Sequence, residues 1–271
     1  METKRIEYID AMRGFTMLLV VYAHIQIFSL NIATNVFTFN KILYLFRMPL
    51  FFFISGFILY KSTTKWDKIT TIKFLKKKFL VQIVPTTFFI FVFAFCFNYN
   101  LSNIFVSEMK YGYWFTYTLL EFFIFYVFLQ NILCVFKLKK YENYFLIITA
   151  LFLFIIRSDK FITIFNHDIA QVIGIKHWVY FLYFITGCLI KKYFESFQKL
   201  IDSKYFIPFI QILFLMSSIY FVNYQGYEKI LKIIIAFSGI IIVFSFFRKY
   251  ESNFTHNTWI GRIFQYIGRR T

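Results

Sequence analysis

Arg13 and His24 stand eleven residues apart in one apolar run, Arg13-Gly14-Phe15-Thr16-Met17-Leu18-Leu19-Val20-Val21-Tyr22-Ala23-His24. On a helix, eleven residues make three turns plus roughly 20°, so both side chains leave from one face, about 16 Å apart along the axis. Arginine offers a fixed charge and a planar fork of donors suited to an anion. Histidine takes or gives a proton near neutral pH. If this helix crosses a bilayer, Arg13 falls at the cytoplasmic edge and His24 near mid-depth. That arrangement suits an anionic ligand arriving from one side. Ionisable groups inside a membrane are costly and mark functional positions by default.

Three further sets of ionisable residues interrupt apolar sequence. Arg47 precedes Met48-Pro49, with Pro49 expected in the first turn of a second helix and Arg47 in the outer half of the membrane. Glu121 is expected about 12 Å into a fourth span and has no local partner. A carboxylic acid there is neutral or paired with a cation from another helix, and His24 and Arg47 have suitable depth. Lys73, Lys76, Lys77 and Lys78 form a basic cluster that serves topology and attracts anionic lipids. Asp10, three residues before Arg13, is read as a helix N-cap.

The elements that must hold these residues are transmembrane helices. The chain is 59% hydrophobic and 25% aromatic, and 43 phenylalanines exceed what a soluble core of 271 residues could hide. Apolar runs near bilayer length recur, predicting an all-α polytopic bundle with about eight spans, near 14–32, 42–60, 79–97, 113–136, 143–157, 177–190, 205–222 and 230–247. The fifth and sixth are short. A net charge of +17 could suggest nucleic acid, but its distribution excludes that. With the N-terminus inside, one side holds Lys4, Arg5, the lysines of 61–78 and 137–140, Lys191, Lys192, Lys199, Lys204, Arg248 and Lys249. The other holds only Lys41, Lys110, Arg157, Lys160, Lys176 and Lys229. This is the positive-inside pattern, and no DNA-binding motif accompanies it.

The first apolar run is too long for a signal peptide and lacks a small-residue cleavage site. Cys96, Cys134 and Cys188 lie in apolar segments without metal-ligand spacing and read as packing residues. Ser55-Gly56 reads as helix packing, Trp114, Trp178 and Trp259 as an aromatic belt. His167, His177 and His256 are assigned no chemistry. No phosphate loop, repeat or linker divides the chain, so 1–271 is expected to be a single membrane domain with no bound cofactor or metal.

Several blocks point further. Arg5-Ile6-Glu7-Tyr8-Ile9-Asp10-Ala11-Met12-Arg13-Gly14 runs on to His24; Phe46-Arg47-Met48-Pro49-Leu50-Phe51-Phe52-Phe53-Ile54-Ser55-Gly56-Phe57 follows. Then come Tyr113-Trp114-Phe115, Tyr183-Phe184-Ile185-Thr186-Gly187 with Lys191-Lys192, and Gln265-Tyr266-Ile267-Gly268-Arg269-Arg270-Thr271. In this order the blocks resemble the acyltransferase-3 family of bacterial multi-pass membrane enzymes, whose Arg-x10-His signature is Arg13…His24. Two departures stand out. The family's Arg-x-x-Arg pair before a proline is represented by Lys78 and Val81 ahead of Pro85. The last block resembles the lead-in to a further helix, so the resemblance implies a C-terminally truncated member.

The resemblance implies transfer of an acyl group, usually acetyl, from acyl-CoA to a hydroxyl of a surface polysaccharide or lipid-linked glycan precursor at the bacterial inner membrane, with the N-terminus cytoplasmic. His24 would be the catalytic base, because a sugar hydroxyl is a poor nucleophile until its proton is removed. Arg13 would bind the anionic part of acyl-CoA or stabilise charge near the thioester. By placement and charge, not by the resemblance, Arg47 would contact the acceptor sugar or a lipid headgroup, Glu121 would be a catalytic acid, and Lys73, Lys76, Lys77 and Lys78 would dock CoA phosphates. The competing expectation is a non-catalytic transporter or binding protein for lipid-linked glycan, or an inactive truncated member. Lipids, acyl-CoA and glycan are the implied partners.

Overall fold

Long apolar runs can satisfy their backbone groups in a membrane only within each run, by hydrogen bonds along a helix. The chain follows that constraint: it is all α-helical, with no strand among the described residues. The computed structural model describes residues 6–30, 38–62, 64, 66–156, 167–223 and 228–270. The helices are α1 (Glu7–His24), α2 (Thr38–Leu59), α3 (Lys68–Lys78), α4 (Val84–Phe97), α5 (Leu101–Val106) and α6 (Trp114–Val135). They continue with α7 (Glu142–Ile156), α8 (His167–Ile173), α9 (Phe181–Lys192), α10 (Phe194–Ile201), α11 (Phe206–Asn223), α12 (Glu228–Lys249) and α13 (Trp259–Arg270).

Two π-helical turns lengthen this pattern. Ile25–Ser29 extends α1, and Phe79–Ile83 joins α3 to α4. The second precedes Pro85, which has no N–H for the carbonyl four residues back, so the ladder widens there instead of breaking.

Five helices are long and apolar enough to cross a membrane: Thr38–Leu59, Lys68–Phe97, Trp114–Val135, Phe206–Asn223 and Lys229–Lys249. The protein is therefore a polytopic helical membrane protein, with five candidate spans among the described residues in place of the eight expected. The other three expected spans fall short for physical reasons. The 18-residue α1 carries Glu7, Asp10 and Arg13, and the end of 14–32 lies outside the described residues. Helix α7 has only 15 residues, too few for a ~30 Å core. The 177–190 segment is divided between a 3-10 turn, Ile175–Tyr180, and the 12-residue α9.

The chain divides into two compact units, Met1–Tyr60 with Thr186–Thr271, and Lys61–Ile185. In the first, α1 and α13 meet backbone to backbone. A Cβ on Gly14 would lie 1.9 Å from the carbonyl oxygen of Phe264, and one on Gly268 would lie 2.0 Å from that of Asp10. Only glycine admits such an approach, which supplies weak Cα–H···O contacts and extensive dispersion where lipid offers no hydrophobic drive. Gly187 of α9 meets the Phe53 carbonyl of α2 in the same way. Phe244 of α12, fully buried, sits edge-on to Tyr8, Phe53, Phe57 and Phe197 at 5.3–6.2 Å, a geometry that the ring quadrupole favours. In the second unit, Phe122 of α6 packs against Phe181 and Phe184. Asn131 of α6 donates to Thr71 of α3 at 3.0 Å. Asp67 caps α3 by accepting from the Thr70 N–H at 2.7 Å, and bonds from Thr70 hold its carboxyl below the usual range.

Several local expectations are corrected. Helix α1 starts at Glu7 with Ile6 as its N-cap and no side-chain cap. Asp10 is a buried residue within the helix, its carboxylate 3.8 Å from Arg269 Nε. Pro49 lies inside α2, eleven residues past its start, because the polar segment Thr38–Lys41 joins the helix. Trp114 is buried and stacks on His177 at 3.9 Å, so it is no belt residue. Cys188 is buried and donates to the Gly56 carbonyl, whereas Cys96 and Cys134 are exposed.

Helix propensity alone favours alanine over glycine by about 1 kcal/mol. At Gly14 the clash with a backbone carbonyl outweighs this, and Gly14→Ala is expected to lower stability by about 2–3 kcal/mol. Gly239→Ala, whose Cβ meets only the Phe46 ring at 3.0 Å, is expected to be near neutral. Thermal unfolding in detergent checks the contrast; a stabilised Gly14→Ala would show that α1 and α13 do not touch there.

Candidate active site

Helix α1 gathers polar groups at both ends. At its start, Glu7 accepts from the His256 backbone N–H at 2.8 Å and from Gln265 Nε2 at 3.3 Å. Gln265, buried on α13, also donates to the Phe254 carbonyl, and Arg269 donates to Gln265 Oε1 at 2.7 Å. These bonds fix α13 along the first turns of α1. Arg13 follows, half-buried, next to the glycine contact.

His24 is the last α-helical residue of α1, immediately before the π turn, and is half-buried. It stands about 26 Å from Glu7 along the axis. Beside it, Gln26 is buried and donates to Tyr22 Oη at 2.7 Å, and Tyr22 in turn donates to Asn40 Oδ1 of α2 at 3.3 Å. One and two turns further along α2 are Tyr44 and Arg47. Arg47 is 8% exposed, its guanidinium carbon 5.4 Å from the Tyr44 ring centroid, and it lies within electrostatic reach of His24. His24 and Arg47, two of the residues singled out by sequence, both belong to the first unit, with Arg13. Tyr22 and Gln26, with Asn40 of α2, form this polar end of α1 without carrying charge. Their signal was a polar side chain within an apolar run.

Glu121 and the lysines belong to the second unit. Glu121 Oε2 accepts a 2.8 Å hydrogen bond from the indole Nε1 of Trp178, a partner that reading Trp178 as a belt residue concealed. Lys110 is also within electrostatic reach of Glu121. Lys110 is buried in the 3-10 turn Lys110–Gly112 and donates to the Val172 carbonyl at 2.8 Å. Burial pushes its ammonium below the usual lysine range, an effect that Glu121 and Glu108 oppose. Lys73, Lys76 and Lys77 are exposed on α3. Lys78 instead lies 4.6 Å from the Phe123 ring centroid and 5.7 Å from that of Phe74, a cation–π arrangement.

A half-buried imidazole with a buried guanidinium nearby can perform two tasks of group transfer. The imidazole can accept a hydroxyl proton, and the guanidinium can steady charge developing on an oxygen. A sequence profile described as an acyltransferase domain matches residues 6–271, across both units. The chain belongs to the acyltransferase-3 family. No curated protein and no solved structure matches it. Membership in this acyltransferase family supports acyl transfer, and an acyl-CoA-dependent mechanism, in general terms.

Deleting the indole donor tests the Glu121 contact in this acyltransferase. Trp178→Phe keeps the ring and is expected to cost about 1–3 kcal/mol of stability by leaving a buried acceptor unsatisfied. In a Glu121→Ala background the same change is expected to cost much less, because the acceptor is gone. Thermal unfolding of the four proteins checks this, and equal costs in the two backgrounds would contradict the bond.

Proposed function

We propose that the protein is an integral membrane O-acyltransferase that moves an acyl group, acetyl in the simplest case, from acyl-CoA to a hydroxyl of a cell-surface polysaccharide or lipid-linked glycan precursor. The observation that supports this reading is the match to an acyltransferase domain over residues 6–271, which takes in the half-buried His24 at the end of the helix that also bears Arg13. The positive-inside charge pattern supports an inner-membrane location with a cytoplasmic N-terminus. Residues 7–29, α1 with its π turn, make a rod of about 34 Å. In this reading it is a further crossing that links the two sides.

Arg13 binds the anionic part of the donor, and the exposed Lys73, Lys76 and Lys77 of the second unit add to the positive charge that attracts its phosphates. Lys78, over two aromatic rings, contributes charge from a more fixed position. The acyl end extends toward His24. The His24 imidazole removes the proton of the acceptor hydroxyl as that oxygen attacks the thioester carbonyl carbon. Arg47 steadies the oxyanion that forms. Collapse of the tetrahedral intermediate breaks the carbon–sulfur bond, and the CoA thiolate takes the proton back from the imidazolium. The products are acylated glycan and free CoA.

Loss of a general base typically costs 10²–10⁴-fold in rate. His24→Ala is therefore expected to reduce acyl transfer in membranes at least about 100-fold at unchanged protein level. Arg13→Ala is expected mainly to raise KM for acyl-CoA. Glycan translocation that persists with no acyl transfer by the wild type would favour the transporter reading instead.

A further inference from the structure

A second basic site stands apart from the residues used above. In the first unit, the end of α12, the start of α11 and the turn before it border a half-open surface pocket of about 520 Å³ lined by Asp202, Ser203, Lys204, Gln211, Ser245, Arg248 and Lys249, with Ile201, Ile207 and Pro208 as its apolar wall. Its size is that of a small-molecule pocket. Three cations and one carboxylate are among the lining residues, so an excess of positive charge remains. The carboxylate is already engaged: Asp202 Oδ2 accepts from Arg248 Nη2 at 2.6 Å. That ion pair orients the guanidinium. Lys204 and Lys249 extend over the rings of Tyr205 and Tyr250, at 5.6 and 5.7 Å. The two serine hydroxyls and the Gln211 amide add neutral donors.

The position of this cavity along α1 gives it meaning. Arg248 lies beside Tyr8 of α1, together with Gln198 and Glu251. Tyr8 is five residues, about 7.5 Å, before Arg13 and about 24 Å before His24 along the helix axis. The cavity is therefore at the Arg13 end of α1. A donor with phosphates at one end of a long arm and a thioester at the other has this shape of requirement: cations at one end of the helix, a proton acceptor at the other.

We infer that this cavity is a phosphate-binding subsite, formed by Lys204, Arg248 and Lys249, that holds a phosphate of the CoA moiety of the donor. A fixed guanidinium flanked by ammonium groups and hydroxyls is matched to a phosphate's clustered acceptor oxygens. The assignment of CoA as the source rests on the acyl-transfer reading. A phospholipid headgroup offers the same chemistry, and the test separates the two.

The full chain in nanodiscs of phosphatidylcholine is titrated with acetyl-CoA and with acetyl-pantetheine, which carries no phosphate. The Lys204→Gln/Lys249→Gln double variant is expected to raise Kd for acetyl-CoA about tenfold or more and to leave acetyl-pantetheine binding unchanged. If the double variant binds acetyl-CoA normally and instead loses phosphatidylglycerol retained in native mass spectrometry, the occupant is a lipid and the inference is overturned. Unchanged binding of both also overturns it. Binding sensitive to the variant in a protein that transfers no acyl group would leave the subsite standing and remove the enzyme reading. Transfer with a KM indifferent to the variant would do the reverse.

Discussion

The arrangement of α1 depends on a contact that leaves no room for a single extra carbon. Gly14 and Gly268 let α1 and α13 touch through their backbones. Hydrogen bonds from Gln265 and from the His256 backbone to Glu7 lock the same pair at one end. A helix held this closely cannot rotate or slide without collision. Its rotation decides which way Arg13 and His24 point, and its register decides which α2 residues meet its far end. Apolar packing alone could not impose this, since lipid tails are as apolar as the helices.

The far end of α1 shows what that restraint makes possible. Arg47 and Asn40 are buried in α2, and burying such groups is tolerable only where polar neighbours meet them. Tyr22, itself bonded by Gln26, meets Asn40, and the Tyr44 ring lies 5.4 Å from the Arg47 guanidinium carbon. The π turn beginning at Ile25 places a widened stretch of backbone directly after His24, a feature frequent at functional sites. In the second unit the same logic recurs: Trp178 meets Glu121, and Lys110 finds the Val172 carbonyl.

Much of this was legible in the residues. Length and apolarity located α2, α6, α11 and α12 to within a few positions, because a bilayer-length run has one workable structure; of the Lys68–Phe97 rod they located the end, while its lysine-rich start lies eleven residues before the expected 79. The same reasoning overextended at α7 and at 177–190, where hydropathy is high but the helices are short. Helix α2 began before its expected start because Asn40 and Lys41, read as loop, continue the helix. His24 and Arg47 were singled out by charge and depth. Their proximity depends on helix rotation, which no single apolar run encodes. Uncharged Tyr22, Gln26 and Asn40 escaped notice, and Trp178 was hidden by its resemblance to an interfacial residue. Pairing across helices is a property of packing, and it became visible only with the packing.

The central claim is that the acyl group reacts beside His24 after entering from the Arg13 end. An experimental structure in a lipid nanodisc, with a ketone analogue of acetyl-CoA that cannot release its acyl group, tests it most directly. The account predicts the analogue's carbonyl within hydrogen-bond reach of His24, about 3 Å, and its phosphates among basic side chains at the opposite end of α1. His24 facing lipid tails, with the analogue's carbonyl bound elsewhere, would contradict it.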